Sequence, residues 1–298
     1  MKNRNAMLLI GTLLIIIICF YLIGTNEDPS EDVVTDVQSS LHGIKERLAD
    51  VERYTYYLDK GNHEIGQKMK AMDLVIVEPI EMQARYSNEA QENGTLLYGY
   101  VNAMEGDKWN KELFEQFVEN DFYKDEKGER VYFEQWDSYM MDMTSAHYQE
   151  LLLKEVDKRI VQRKLDGVFF DTVGNIDSYI AESDKNAQRE ALVQVMLKIK
   201  QQYKDLSIAQ NWGFDTLVDY TAPYVDFIMW EDFSYDHVGH EDWSQEKMKE
   251  LKKVRDEFGT QIMVVAFSEN GKSKSLAKKH NFKYMYNPDG SYYNKWHE

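Results

Sequence analysis

The chain has 298 residues, with 52 Asp and Glu against 35 Lys and Arg, a net charge of −17 and one cysteine. That balance speaks against a nucleic-acid ligand, which needs clustered Lys and Arg, and favours cationic ones. A single cysteine rules out an internal disulfide, and a chain this long builds a core large enough to fold without one.

Residues 7–24, MLLIGTLLIIIICFYLIG, carry no charge. At ~1.5 Å per residue they just span a bilayer core of ~30 Å. Lys2 and Arg4 precede this run, and Glu27, Asp28, Glu31 and Asp32 follow it. The positive-inside bias therefore predicts a single-pass signal anchor in residues 1–24, with the rest of the chain outside the cell membrane. Ile18 stands before Cys19 where a lipoprotein signal carries a small residue, and no A-x-A-like site follows. Secretion after cleavage is the alternative.

Residues 25–32 are acidic, contain Pro29 and read as a spacer. Val34, Val37, Leu41, Ile44, Leu48 and Val51 then recur at spacings of three and four, which predicts an amphipathic helix over 33–53. It is too short for a stable free coiled coil, so it is expected as a stalk or packed on the domain that follows.

From residue 54 short apolar runs alternate with helical patterns. Strands are expected at Tyr54–Leu58, Leu74–Glu78, Leu96–Asn102, Tyr139–Met143, Gly167–Asp171, Ile208–Asn211, Phe227–Glu231 and Ile262–Phe267. A further run, Phe282–Tyr286, extends or closes the set, and helices are clearest over 146–164, 186–204 and 245–258. Eight such units over residues 54–298 predict an α/β fold, a (β/α)8 TIM-type barrel. Residues 104–138, long and charged, form an insertion after the third strand and a candidate wall for a substrate groove.

Two apolar runs end in a carboxylate: GVFFD at Asp171 and FIMWE at Glu231. Strand faces alternate with period two, so Asp171 shares a face with Phe169, and Glu231 with Met229 and Phe227. Charge is costly in a core but suits a strand end that opens on a cleft. In a barrel of this kind the C-terminal strand ends carry the active site. The polar residues expected there are Asp59, Glu78, Asn102 with Glu105, Asp142, Asp171, Asn211 and Glu231. Two facing carboxyls perform glycoside cleavage, one protonating the leaving oxygen and the other attacking carbon or activating water. Glu231 is expected as the acid and Asp171 as nucleophile or base, with the reverse assignment open. Tyr100, Trp109, Trp212 and Tyr235 are stacking candidates for a sugar ring, and Trp230, on the face opposite Glu231, is expected under a helix.

Other signals are weaker. His237 and His240 read as a surface loop, since no third ligand is fixed by spacing. Gly271-Lys272-Ser273 lacks the P-loop glycine. Asn93-Gly94-Thr95 fits a turn as well as a glycosylation sequon. No metal site and no cofactor is implied.

Four blocks, YGYVNAMEGDKW (98–109), DGVFFDTVGNIDSY (166–179), NWGFDTL (211–217) and VDFIMWEDF (225–233), resemble the glycoside hydrolase family 114 endo-α-1,4-polygalactosaminidases, the spherulin-4-like barrels. The family pattern closes its fifth strand with an Asp and its seventh with a Glu, which falls on Asp171 and Glu231. Glu78-Pro79 stands where an Asp is commoner, and Asn175 or Asp177 takes the place of an Asn or Asp that often follows the first acid. The resemblance implies cleavage of galactosamine-rich exopolysaccharide, with Asp171 and Glu231 at the reaction centre; their places at strand ends, or their aromatic rings, make Glu78, Tyr100, Asn102, Glu105, Trp109, Asp142, Asn211, Trp212 and Tyr235 the expected substrate contacts. With the anchor, it implies an enzyme held near exopolysaccharide export machinery. A barrel that binds or scaffolds the polymer without cutting it is the alternative. A deacetylase would need a His and Asp metal site that the scattered histidines do not supply.

Overall fold

In a computed structural model of the chain, residues 43–297 are described. The expected membrane segment 7–24, the spacer and residues 33–42 of the amphipathic helix lie outside them. Among the described residues no helix is long and apolar enough to cross a membrane.

Eight parallel strands form the sheet: β1 Tyr54–Tyr57, β2 Leu74–Val77, β3 Leu96–Asn102, β4 Gly167–Asp171, β5 Ser207–Asn211, β6 Phe227–Glu231, β7 Gln261–Ala266 and β8 Lys283–Tyr286. They neighbour one another in chain order, with helical crossovers between them, as expected for a (β/α)8-like barrel. Hydrogen bonds from β1 and the residue after it hold the closing edge. The Tyr54 hydroxyl donates to the Val264 carbonyl at 2.6 Å, and the Leu58 amide donates to the Tyr293 carbonyl at 2.7 Å.

One expected strand is misplaced. Residues 138–140 do form a strand, but in a separate antiparallel sheet between Glu105–Asp107 and Tyr132–Phe133. A short apolar run does not distinguish a barrel strand from one in a satellite sheet. The run at Phe282–Tyr286 supplies the missing eighth strand. Asp171 therefore closes the fourth barrel strand and Glu231 the sixth, not the fifth and seventh.

The period-two reading of the strands holds. Phe169, Phe227 and Met229 lie inside the barrel with Tyr54, Tyr56 and Tyr98. Val168, Phe170, Ile228 and Trp230 face outward under the helices. Each large apolar side chain buried this way contributes ~1.5–3 kcal/mol. Packing at Gly99, between Tyr98 and Tyr100 on β3, is tight: a Cβ there would stand 2.3 Å from Ile160 Cδ1, and that side chain would have to shift. Residues 43–49 are helical, and Leu48 and Val51 are buried in the interior cluster beside Tyr54. The end of the expected amphipathic helix is thus part of the barrel, packed into the cluster at the N-terminal side of β1.

Candidate active site

Three consecutive strands end in the same way. Asp171, Asn211 and Glu231 are the last residues of β4, β5 and β6, and each is followed by a non-glycine residue in the left-handed region. These are Thr172 (φ 61°), Trp212 (φ 53°) and Asp232 (φ 53°). Left-handed backbone costs such residues about 1 kcal/mol or more, so local contacts must hold it. The Thr172 hydroxyl bonds Asn102 Oδ1 and accepts from the Met104 amide at 2.9 Å. The Trp212 carbonyl accepts from Gln210 Nε2 at 2.9 Å. Asp232 accepts from the Ser234 hydroxyl at 2.7 Å, and its other oxygen lies 2.9 Å from His237 Nδ1. The chain turns away sharply after each strand and leaves the preceding side chain at the mouth.

The three side chains form one unit. Asn211 Nδ2 donates to Asp171 Oδ1 at 2.7 Å and to Glu231 Oε2 at 2.9 Å. Reversing the amide would set its oxygen against two carboxyls, so the pair fixes its orientation. Tyr100 donates to Asp171 Oδ2 at 2.6 Å, and the Thr172 amide to Asp171 Oδ1 at 2.7 Å. The Tyr293 hydroxyl bonds Glu231 Oε1. Burial and the Asp171 charge push Glu231 up to about 7, against the Tyr293 and Asn211 donors, which favour its charged form.

A second polar group adjoins the first at the end of β3. Asn102 Nδ2 donates to both oxygens of Asp107 at 3.1 and 3.2 Å, and burial pushes Asp107 up to about 7. Glu105 is buried, accepting from Ser138 and, at 2.7 Å, from Asn175. Tyr100, Asn102, Glu105, Asp107 and Trp109 line one pocket.

The remaining expected site residues make other contacts. Glu78 is buried and holds its own turn, accepting from the Ile80 amide at 3.0 Å. Asp142 accepts from Thr144 and Gln188 below the helix Ala146–Val156. Trp212 packs with Phe214 and stacks on Trp243. The Tyr235 ring meets His240 and Lys272. Asp177 pairs with Arg189 at 2.7 Å. Trp230 is buried as expected, against Trp243 of the helix Asp242–Phe258. Gly94 sits in a turn, where Thr95 is buried and bonded to the Met69 and Met72 carbonyls. Among the described residues no group of His, Cys, Asp and Glu is arranged to hold a metal.

Sequence reasoning missed Tyr293, Asp107 and Thr172. Tyr293 lies in a turn-rich segment after β8 that carries no motif, and only the closure of the barrel brings it to Glu231.

No curated protein matches the chain at a significant level. Among solved structures, the glycoside hydrolase domain of PelA from Pseudomonas aeruginosa is 16% identical with a TM-score of 0.65, over 79% of this chain and 94% of that one. Ega3 from Aspergillus fumigatus, in complex with galactosamine, is 13% identical with a TM-score of 0.59, over 79% and 90%. The α-galactosidase TtGalA from Thermus thermophilus, in complex with stachyose, is 11% identical with a TM-score of 0.53, over 80% and 62%. At these identities the likeness is one of fold. The profile of a glycosyl hydrolase family covers residues 86–293, a span that holds Tyr100, Asp171, Asn211, Glu231 and Tyr293. The chain belongs to that family, hypothetical glycosyl hydrolase family 15 (GHL15).

Proposed function

We propose that the protein is a membrane-anchored, outward-facing hydrolase of α-1,4-linked galactosamine- and N-acetylgalactosamine-rich exopolysaccharide, with Glu231 as acid and Asp171 as nucleophile. The observation that carries the chemistry is the single Asn211 amide nitrogen that bridges both carboxyls. Its two bonds place one oxygen of each carboxyl within 2.9 Å of a single nitrogen, close enough for both groups to act on one glycosidic bond, and the covalent, retaining route is the one we propose. A pKa of about 7 leaves a large protonated fraction of Glu231 at neutral pH, as a general acid requires.

In the first step Glu231 gives its proton to the glycosidic oxygen while Asp171 attacks the anomeric carbon. The C–O bond breaks, the shortened chain leaves, and a glycosyl ester forms on Asp171. Asp171 Oδ2 is the better placed oxygen, since it accepts one hydrogen bond and Oδ1 accepts two. In the second step the Glu231 carboxylate takes a proton from water, which attacks the same carbon and releases Asp171.

The substrate class rests on the family 114 resemblance, on the galactosamine complex of Ega3, and on a net charge of −17 that draws a cationic polymer. The anchored setting rests on residues 7–24 and their flanking charges. The test is incubation of residues 26–298 with partially deacetylated α-1,4-galactosamine polymer, followed by reducing ends and fragment masses. Wild type should yield fragments, and Glu231→Gln and Asp171→Asn none. A folded wild type that binds polymer but leaves it intact would favour a binding or scaffold role, and one that does neither would overturn the substrate assignment.

A further inference from the structure

Large aromatic rings left half in solvent on a rigid frame mark surfaces that bind something. Among the exposed large aromatics of the described residues, Trp136 (42% exposed) and Tyr292 (54%) are the two that meet each other. Their ring centroids are 5.7 Å apart. They come from distant parts of the sequence: Trp136 from the insertion that follows β3, and Tyr292 from the segment that follows β8. Both segments leave the C-terminal ends of barrel strands, so the two rings meet on the face that carries the acid pair.

Each ring stands on pinned backbone. The turn under Trp136 is held by Lys108, whose amide donates to the Asp137 carbonyl at 3.2 Å and whose Nζ lies 2.6 Å from Asp137 Oδ1. The Tyr292 carbonyl accepts from Asn287 Nδ2 at 3.1 Å, and the next carbonyl, of Tyr293, accepts from the Leu58 amide at 2.7 Å. Nearby charges are matched, Asp137 with Lys108 and Asp289 with Lys295, so the rings offer apolar faces with a polar rim. That is the surface a pyranose recognises. Tyr292 directly precedes Tyr293, whose hydroxyl bonds Glu231, and its own ring is exposed, which puts the platform next to the proposed general acid, the group that serves the departing sugar.

We propose that Trp136 and Tyr292 form a pyranose-stacking subsite for the leaving-group side of a hexosamine polymer. This rests on the hydrolase reading above for its orientation. The ring pair is a preformed grip, so little ordering is needed on binding.

The test compares polymer with an α-galactosaminyl fluoride, whose leaving group carries no ring to stack. Trp136→Ala and Tyr292→Ala should each lower kcat/KM on polymer by about tenfold while leaving the glycosyl fluoride rate and the melting temperature unchanged. Tyr292→Phe should behave as wild type. Equal loss on both substrates, or no loss on polymer, overturns the subsite. If wild type cleaves neither substrate, affinity electrophoresis in polymer decides separately. Retardation of wild type that both alanine variants lose supports the subsite and sinks only the hydrolase reading. Retardation unaffected by the variants, or no retardation at all, overturns the subsite too.

Discussion

Replacing Tyr293 by Phe should move the enzyme's basic pH limb upward. The general acid proposed above, Glu231, must be protonated to act, so on that reading kcat/KM falls as pH rises through its pKa, about 7. Burial and Asp171 raise that value, while hydrogen bonds from Tyr293 and Asn211 lower it. Removing the phenol oxygen deletes one lowering contact and little else. The ring itself is stacked on Tyr56 at 4.2 Å with planes 23° apart, and Phe keeps that contact. A hydrogen bond to a charged group contributes ~1.5–3 kcal/mol, which corresponds to a rise of ~1–2 pKa units. The limb should then fall near pH 8 or above, with the rate at pH 5–6 changed far less. The assay is kcat/KM on a soluble aryl α-galactosaminide from pH 4 to 10. A limb that stays in place, or moves down, would refute either the acid role of Glu231 or its coupling to Tyr293.

Stability should also track these carboxyls. Glu231 and Asp107 are raised from 4.5 and 3.8 to about 7. The folded protein therefore holds their protons more tightly than the unfolded chain. Their contribution is full below pH ~4 and is lost as pH rises through 7, on the order of 3–4 kcal/mol each. The melting temperature should fall between pH 5 and 8, and Glu231→Gln should flatten part of that fall; an unchanged slope would contradict the shift. Leu48→Ala, at a fully buried site in the barrel interior, should cost about 2–5 kcal/mol in urea unfolding. A loss under about 1 kcal/mol would mean that the helix before β1 is not part of the core. Retention predicts that NMR detects the α-anomer of the new reducing end first; the β-anomer first would rule out Asp171 as a covalent nucleophile.

Much of the barrel was legible because its strands obey a local rule. GVFFD and FIMWE alternate inward and outward side chains, and the alternation alone places Asp171 and Glu231 inside the mouth. Strand count was less legible, for the run at 139–143 and the run at 282–286 look alike as sequences. Which of them joins the barrel depends on what each pairs with. Residues 138–140 find Glu105–Asp107 and Tyr132–Phe133, within the same insertion. Residues 283–286 find β7, one helix away.

The site divides along the same line. Asp171 and Glu231 were legible because each closes an apolar strand, where a carboxylate suits a cleft and not a core, and Asn211 because it ends the strand between them. The groups that tune them were not. Tyr100 was expected as a stacking ring and is used as a donor to Asp171, because its strand position sets the hydroxyl beside that carboxyl. Tyr293 has no strand to locate it, yet its hydroxyl bonds Glu231 itself. Even the left-handed turns after the three strands fall on Thr, Trp and Asp, not on the glycine that sequence reading would seek. Local pattern locates groups whose placement is costly, since cost leaves a mark in the sequence. Partners that stabilise those groups fit any ordinary tyrosine or threonine context, and only the folded chain singles them out.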